Sequence, residues 1–251
     1  MPALIGAITL AGRRWGPAVA GWLSGFPIVA GPILFFVALE QGPQFASASA
    51  VGALAGGLAW MAFAVCYAWA ALGLPWGLAL FVSLLGYFAA GFALISAALP
   101  FAAIIVMIVI AVVLVPRTFP RLNQPIGASK FSRLELVARM VAGGVLTVTV
   151  TQFSSLLGPK FSGLFAVFPV MGIVLAAFSH RASGNVFTIH LLRGMVSGFY
   201  AFTAFCLTIA LGVPRIGIPA AFLLALAFSL TVHFGVLWMV RRPGRRSAAG
   251  V

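Results

Sequence analysis

Long apolar runs, separated by short stretches that hold most of the charged and turn-forming residues, cover nearly the whole chain. A helix needs about 20 apolar residues to cross roughly 30 Å of hydrocarbon, and in lipid its backbone must satisfy its own hydrogen bonds. The runs therefore predict nine membrane-spanning helices. Their approximate bounds are residues 1–12, 15–40, 43–72, 75–98, 99–115, 133–156, 158–179, 184–212 and 215–240.

Composition supports the same class of protein. Hydrophobic residues make up 63% of the chain and charged residues 7%, with a mean hydropathy of +1.18, which excludes a soluble globular domain. The alternating pattern of an outer-membrane barrel is absent. We expect an all-α polytopic membrane protein whose principal partner is the lipid bilayer.

The charge pattern predicts how the chain is oriented. The net charge of +13 comes from 15 Lys and Arg against only two acids, Glu40 and Glu135. Basic residues concentrate in the 116–132 loop and the 241–251 tail, and basic loops are typically cytoplasmic. We therefore expect a bacterial cytoplasmic (inner) membrane protein with its N-terminus outside and its C-terminus in the cytoplasm. A nucleic-acid partner is not expected.

One stretch of the chain occurs twice. Residues 16–63 match residues 158–205 without gaps, with 13 identities in 48 positions. Most identities fall on Gly, Pro and Phe, where backbone geometry is decided. They are Gly16/Gly158, Pro17/Pro159, Gly21/Gly163, Phe26/Phe168, Pro27/Pro169, Phe36/Phe178, Gly42/Gly184, Phe45/Phe187, Gly52/Gly194, Gly56/Gly198, Ala59/Ala201, Ala62/Ala204 and Phe63/Phe205.

The duplication predicts an architecture. Five spans separate equivalent helices, so the second copy must lie upside down relative to the first, as in many transporters. We expect repeat A at 1–98, a linking helix and basic cytoplasmic loop at 99–132, an inverted repeat B at 133–240, and a basic cytoplasmic tail at 241–251. Each repeat has four helices.

Two places depart from exact repetition. The first helix has 12 residues, about 18 Å of helix, whereas its counterpart at 133–156 is full length. Either the true start lies upstream of Met1 or this helix is a half-span. The turns at Gly73-Leu74-Pro75 and Gly212-Val213-Pro214 are predicted to be equivalent, with a slip of three residues.

The strongest functional signal is the pair of Phe-Pro steps, Phe26-Pro27 and Phe168-Pro169, each in the middle of an apolar run. Proline removes a backbone hydrogen bond and clashes with the preceding turn, so both helices should break near the bilayer centre. Interrupted helices at matching positions of two inverted halves indicate a midplane binding site. The alternative is that the kinks serve packing alone.

A polar stripe lies on the eighth predicted helix, where His190, Arg193 and Ser197 share one face. The first copy has Ala48 and Val51 at the positions of His190 and Arg193. An arginine this deep usually faces the bundle interior or a wet cavity. Arg193 could reach the cytoplasmic headgroups, contact carbonyls freed at a broken helix, or bind an anionic solute.

Three further polar features carry open alternatives. Thr147, Thr151 and Gln152 could line an external vestibule or hydrogen-bond a neighbouring helix. His233 could carry a proton or pack as a core side chain. Glu135 and Arg139, four residues apart, predict a local ion pair.

Small residues at helix-packing spacing occur in both copies. Gly52 and Gly56 repeat as Gly194 and Gly198, both Gly-x-x-x-Gly spacings that allow close approach of helices. We expect these pairs to bring the two copies against each other.

Enzymatic chemistry has no support in the sequence. There is no nucleotide loop, pair of carboxylates for hydrolysis, metal cluster, or nucleophile with a base. Cys66 and Cys206 both lie in apolar runs, with no spacing that suggests a metal or a disulfide. We therefore expect no enzyme activity, no metal and no cofactor.

The second copy resembles the small four-helix GlpM-type inner-membrane proteins. The resemblance rests on residues 164–169, 180–184 and 192–195, which give a Phe-Pro helix, a short loop ending in Gly, and a helix with a basic residue followed by Gly. It covers about 80 residues of repeat B and the first copy only weakly, since Val51 replaces the basic position. The resemblance implies a duplicated, fused relative of a family that assembles as antiparallel pairs and has been linked to exopolysaccharide production.

These observations favour a small-solute transporter or channel, with a midplane site at the two Phe-Pro breaks and with Arg193 and His190 favouring an anionic or polar solute. The competing class is a non-transporting scaffold or accessory subunit, for example in envelope polysaccharide production. A second copy of the chain is a further candidate partner, as a homodimer.

Overall fold

The computed structural model describes residues 1–122, 124–125, 132–156 and 168–241, and every regular element among them is a helix. The all-α class predicted from the sequence is confirmed. The described ranges contain nine helices: α1 (Pro2–Trp15), α2 (Pro17–Ser24), α3 (Ala30–Gln41), α4 (Pro43–Ala70), α5 (Trp76–Ala97), α6 (Phe101–Thr118), α7 (Arg133–Leu156), α8 (Val170–Ile216) and α9 (Ile218–Arg241).

Six of these helices, α4 to α9, are long and apolar enough to cross a membrane. The chain is therefore a multi-pass α-helical membrane protein. The predicted helix at 15–40 is instead two shorter helices, α2 and α3, because residues 25–29 are not helical. Proline at position 27 explains the interruption, since it has no N–H to donate and its ring collides with the preceding turn.

Sharp corners between helices fall on glycines with positive φ. The α8 helix turns at Gly184, which divides it into α8a (170–183) and α8b (185–216). Side chains with a Cβ avoid this backbone conformation, which explains why glycine occupies the corners. The four corner glycines have φ between +78° and +88°: Gly16, Gly42, Gly184 and Gly217.

Helix bounds repeat along the chain at the spacing of the sequence duplication. The corner at Gly42 before α4 matches the corner at Gly184 before α8b, and the start of α5 at Trp76 matches the start of α9 at Ile218. The predicted turn at 212–214 is wrong, because these residues lie inside α8 and the corner is at Gly217. The two copies therefore keep one register here, without the predicted slip.

The α8b helix lies at the centre of the bundle, with most of its side chains buried. It runs antiparallel to α4: the Ser47 hydroxyl donates to the Ala210 carbonyl (2.6 Å), and Trp60 stacks on Phe199 with ring centroids 4.7 Å apart. In contrast, α2 runs parallel to α8b, because Ala18 faces Gly194 while Gly25, further along, faces Gly198.

The α1 and α7 helices pack antiparallel against each other at the side of the bundle. A Cβ added at Gly6 would lie 3.1 Å from the Met140 sulfur, and one at Gly144 would lie 3.3 Å from the Pro2 ring. The predicted ion pair on α7 is confirmed, with Arg139 Nη2 2.6 Å from Glu135 Oε1. Arg139 also donates to the Ser179 hydroxyl (3.2 Å), which fastens α7 to α8a.

Candidate functional site

The two Phe-Pro steps close with the same backbone hydrogen bond. The N–H of Ile28 donates to the carbonyl of Phe26, and the N–H of Val170 donates to that of Phe168, both at 2.8 Å. Pro169 has φ −76° and ψ 47°, close to the inverse γ-turn. Each step thus bends the chain by a three-residue turn centred on proline.

The hydrogen bonds that follow the two turns also correspond. Gly31 N–H donates to the Pro27 carbonyl (2.9 Å), and Ile173 N–H donates to the Pro169 carbonyl (2.8 Å). A helix follows each turn, but at a different distance: α3 begins three residues after Pro27, and α8a begins directly after Pro169. The two breaks share the hydrogen bonds on their C-terminal side, while the residues just before Phe168 lie outside the described ranges.

A cavity of about 140 Å³ is lined by the first of these turns and by Met171, two residues after Pro169, and we call it the central cavity. Two pairs of its lining residues occupy equivalent positions in the duplication: Val29 with Met171, and Trp60 with Phe202. Each copy therefore contributes the same two positions to one cavity. The full lining is Met1, Leu4, Ile8, Ser24, Gly25, Phe26, Pro27, Ile28, Val29, Ala30, Trp60, Met171, Met195, Phe199 and Phe202.

Aromatic rings and methionines dominate the wall of the central cavity. Trp60 and Phe199 stack at 4.7 Å, and Phe199 lies 5.2 Å from Phe202 between centroids. The Ser24 hydroxyl donates to the Gly21 carbonyl at 2.7 Å, so its lone pairs remain available as an acceptor. A space of this size and lining suits a small solute with few polar groups.

A second cavity of about 300 Å³ lies on the other side of α2, between α2, α8b and α9. We call it the Arg193 cavity. It brings together the polar stripe predicted on α8b, with His190, Arg193 and Ser197 in its wall. The remaining lining residues are Ala18, Val19, Trp22, Gly194 and Leu237.

Trp22 in the wall of the Arg193 cavity and Phe26 in the first break both contact His233 of α9. The imidazole is 3.8 Å from the Trp22 ring and 5.0 Å from the Phe26 ring between centroids. His233 is 4% exposed, and neither ring nitrogen has a hydrogen-bond partner within the described ranges. This geometry favours the packing interpretation of His233.

Glycine faces let α2 lie directly on α8b. A Cβ at Gly198 would be 2.6 Å from the Cα of Gly25, and one at Gly21 would be 2.7 Å from the Met195 nitrogen. The sequence pattern predicts close packing at Gly194 and Gly198, but their partners on α2 were not predicted. The signal was present, since Gly21 and Gly25 also have the Gly-x-x-x-Gly spacing.

The first copy's glycines, Gly52 and Gly56, lie on α4. Gly56 is buried, whereas a Cβ at Gly52 would meet no described atom within 4 Å. Gly163, the equivalent of Gly21 in the second copy, lies outside the described residues.

The other predicted site residues lie apart from both cavities. Phe168 is half-buried against α5, with its ring 5.6 Å from Tyr87 and 6.0 Å from Phe88. Pro169 is buried, and Gln152 is exposed near the end of α7. The predicted residues thus divide among the two cavities, an aromatic cluster on α5 and the end of α7.

The aromatic wall of the central cavity was not anticipated. Trp60, Phe199 and Phe202 are apolar residues in apolar helices, so nothing in the hydrophobic pattern distinguishes them from core. Only the coincidence of Trp60 and Phe202 in the duplication could have indicated a shared position.

Comparison with protein-family models, curated proteins and solved structures finds no match to this chain. The fold and the cavities therefore have to be interpreted from their own geometry.

Proposed function

We propose that this protein is a transporter or channel for a small solute, and that the solute binds in the central cavity, between the segments that follow the two Phe-Pro breaks. The chain would lie in the bacterial cytoplasmic membrane, with its N-terminus outside and its C-terminus in the cytoplasm. It would be built from two inverted four-helix repeats joined by α6.

Helix directions and reciprocal contacts support the inversion. Because α4 and α8b are equivalent in the duplication and run antiparallel, a two-fold axis in the membrane plane would relate them. The contacts of the breaks agree with such an axis. Phe26 of the first copy packs on α9, and Phe168 of the second packs on the equivalent helix, α5.

The single observation that carries the proposal is the shared lining of the central cavity. Val29 and Met171 follow the two breaks at equivalent positions, and both line this one space. Substrate sites of inverted-repeat transporters lie near the midplane at the repeat interface, beside discontinuous helices. Rocking of one repeat against the other about the γ-turns would then expose the cavity to each side alternately.

Thiol accessibility tests the proposal. We would place Ser24→Cys or Met171→Cys, one beside each break, in a chain carrying Cys66→Ala and Cys206→Ala. An impermeant thiol reagent should label both positions, and conditions that raise labelling from one side of the membrane should lower it from the other. Ser132→Cys in the loop before α7 is the labelled control, and Ala176→Cys in the buried part of α8a is the protected one.

A scaffold in envelope polysaccharide production is the second candidate. It is favoured by the largely apolar wall of the central cavity, which offers few groups to a polar solute. The resemblance to GlpM-type proteins, which stays a prediction, suggests the same class. If Ser24→Cys and Met171→Cys are both protected while Ser132→Cys reacts, the breaks are packing kinks and the transport proposal fails.

A further inference from the structure

Among the described residues, the charge of Arg193 has no acidic partner. The chain has only two acids, and Glu135 is already paired with Arg139 at 2.6 Å. Within the described part of the chain, no hydrogen bond or ion pair reaches the Arg193 guanidinium from another residue. An uncompensated arginine inside a membrane protein is costly and usually indicates a wet cavity or a ligand.

The second acid, Glu40, lies at the far end of the bundle. It is exposed in the last turn of α3, beside the corner at Gly42. The following helix begins at that corner, and its residue Ser47 bonds to Ala210 near the end of α8b. By the helical rise, Ala210 is about 25 Å from Arg193. Neither of the two acidic side chains, Glu40 or Glu135, can therefore neutralise the guanidinium.

The surroundings of Arg193 supply further groups that favour an anion. The His190 side chain lines the same cavity, where an imidazole N–H can donate to an anion. Ala18 and Val19 also line the cavity, and they belong to the first turn of α2, where backbone N–H groups lack intrahelical acceptors. The absence of a Cβ at Gly194 is what allows this turn to approach, since a Cβ there would be 3.1 Å from the Ala18 Cα.

The size and the other walls of the cavity define the ligand further. A space of about 300 Å³ is larger than a monatomic anion needs and falls at the lower end of ligand pockets. Val19, Trp22 and Leu237 give it an apolar side, and the exposed Ala18 leaves it open between α2 and α9. Guanidinium groups bind phosphate oxygens in a bidentate fashion.

We propose that the Arg193 cavity binds the phosphate group of an anionic ligand, held by Arg193 and His190 and by the first turn of α2. The phosphate belongs either to a lipid headgroup that enters between α2 and α9 or to a free phosphate ion. This site is separate from the central cavity, so it stands whether or not the chain transports a solute.

The test uses the purified full-length chain in phosphatidylcholine nanodiscs, with thermal unfolding and native mass spectrometry as readouts. One arm adds phosphatidylglycerol to the lipid, and the other adds inorganic phosphate against chloride at equal ionic strength. At least one arm should raise the midpoint of unfolding of the wild type. A response only to phosphatidylglycerol identifies a headgroup site, and a response only to phosphate identifies a free-ion site.

Variants assign the response to the cavity. Arg193→Gln should weaken binding about ten- to hundredfold, the effect expected for losing a charged hydrogen-bonding group. Arg193→Lys should keep part of the binding affinity. Arg215 is exposed at the far end of the same helix, so Arg215→Gln should bind as tightly as the wild type. The proposal is overturned if the wild type responds in neither arm, or if Arg193→Gln responds as the wild type does. Should Arg193→Gln not fold, the wild-type titrations and Arg193→Lys decide the question, since equal binding by the lysine variant and the wild type would exclude bidentate recognition.

Discussion

The indole of Trp22 stacks on the imidazole of His233, with ring centroids 3.8 Å apart and the ring planes inclined by 14°. The indole N–H also donates to the backbone carbonyl of His233 at 3.1 Å. Since Trp22 belongs to α2 and His233 to α9, this pair fastens the half-helix before the first break to the last described helix. The imidazole contributes ring stacking and no side-chain hydrogen bond, because neither nitrogen has a hydrogen-bond partner among the described residues.

Replacement of His233 by phenylalanine should preserve or raise stability. A buried polar group without a partner costs about 1–3 kcal/mol, and phenylalanine removes that cost while it keeps a ring against Trp22. His233→Ala loses the stacked ring and should lower stability by about 2 kcal/mol or more. The midpoint of thermal unfolding in detergent checks both. A His233→Phe variant as unstable as His233→Ala would mean that the ring nitrogens have a structural partner.

Replacement of Gly198 by alanine should strongly destabilise the bundle. The new Cβ would lie 2.6 Å from the Cα of Gly25, and backbone on both sides leaves no flexible group to move aside. Overpacking of this kind costs typically about 1–3 kcal/mol. Gly235→Ala in α9 is the matched control, because a Cβ there meets no described atom within 4 Å. That control should be neutral or slightly stabilising, and equal unfolding temperatures for the two variants would contradict the close packing of α2 on α8b.

Alanine at either of the two equivalent corner glycines should also lower the stability of the fold. Gly42 and Gly184 have φ of +87° and +82°, a conformation that costs a residue with a Cβ about 1–3 kcal/mol. Neither position is crowded, so backbone strain alone accounts for the loss. Gly77→Ala, at an uncrowded position near the start of α5, serves as the control. We would measure all three by thermal unfolding, and a loss at one corner only would show that the two corners are not equivalent.

Breaking the ion pair on α7 should destabilise the protein, because it leaves Glu135 without its partner. Arg139→Leu removes the partner of Glu135 and the bond to Ser179, and we expect a loss of up to about 3 kcal/mol, since the Glu135 side chain is 23% exposed and water reaches it. Adding Glu135→Gln should recover part of that loss. A double variant that is less stable than the sum of the single variants would contradict this account.

Impermeant labelling of intact cells tests the orientation. The exposed Gln41, at the end of α3, should be reached from outside when changed to cysteine in the chain without Cys66 and Cys206. The exposed Gln124, after α6, should react only after the cells are opened. The reverse pattern would place the C-terminus outside.

Several helix bounds could be predicted closely from the sequence, as at α4 and α7. Apolar runs end at Gly, Pro or charged residues, and these signals are local. The same locality made the break at Phe26-Pro27 predictable, because a proline disrupts its own helix whatever surrounds it. The part of the predicted helix 158–179 that precedes Phe168 lies outside the described residues. The turn placed at 212–214 was wrong because Pro214 lies within α8 near its end, where the helix continues to the corner at Gly217.

The sequence by itself determined the class of this protein, an α-helical membrane chain. It also determined the duplication, the two Phe-Pro turns and the ion pair between Glu135 and Arg139. All of these depend on hydrophobicity, proline and glycine chemistry, and short spacings along one helix. Only the tertiary structure decided that Gly198 meets Gly25, that Trp22 stacks on His233, and that Val29 and Met171 share one cavity while Arg193 lines another. In helices that are apolar on every face, the hydrophobic pattern does not distinguish the side that meets a neighbour from the side that meets lipid, and packing makes that choice.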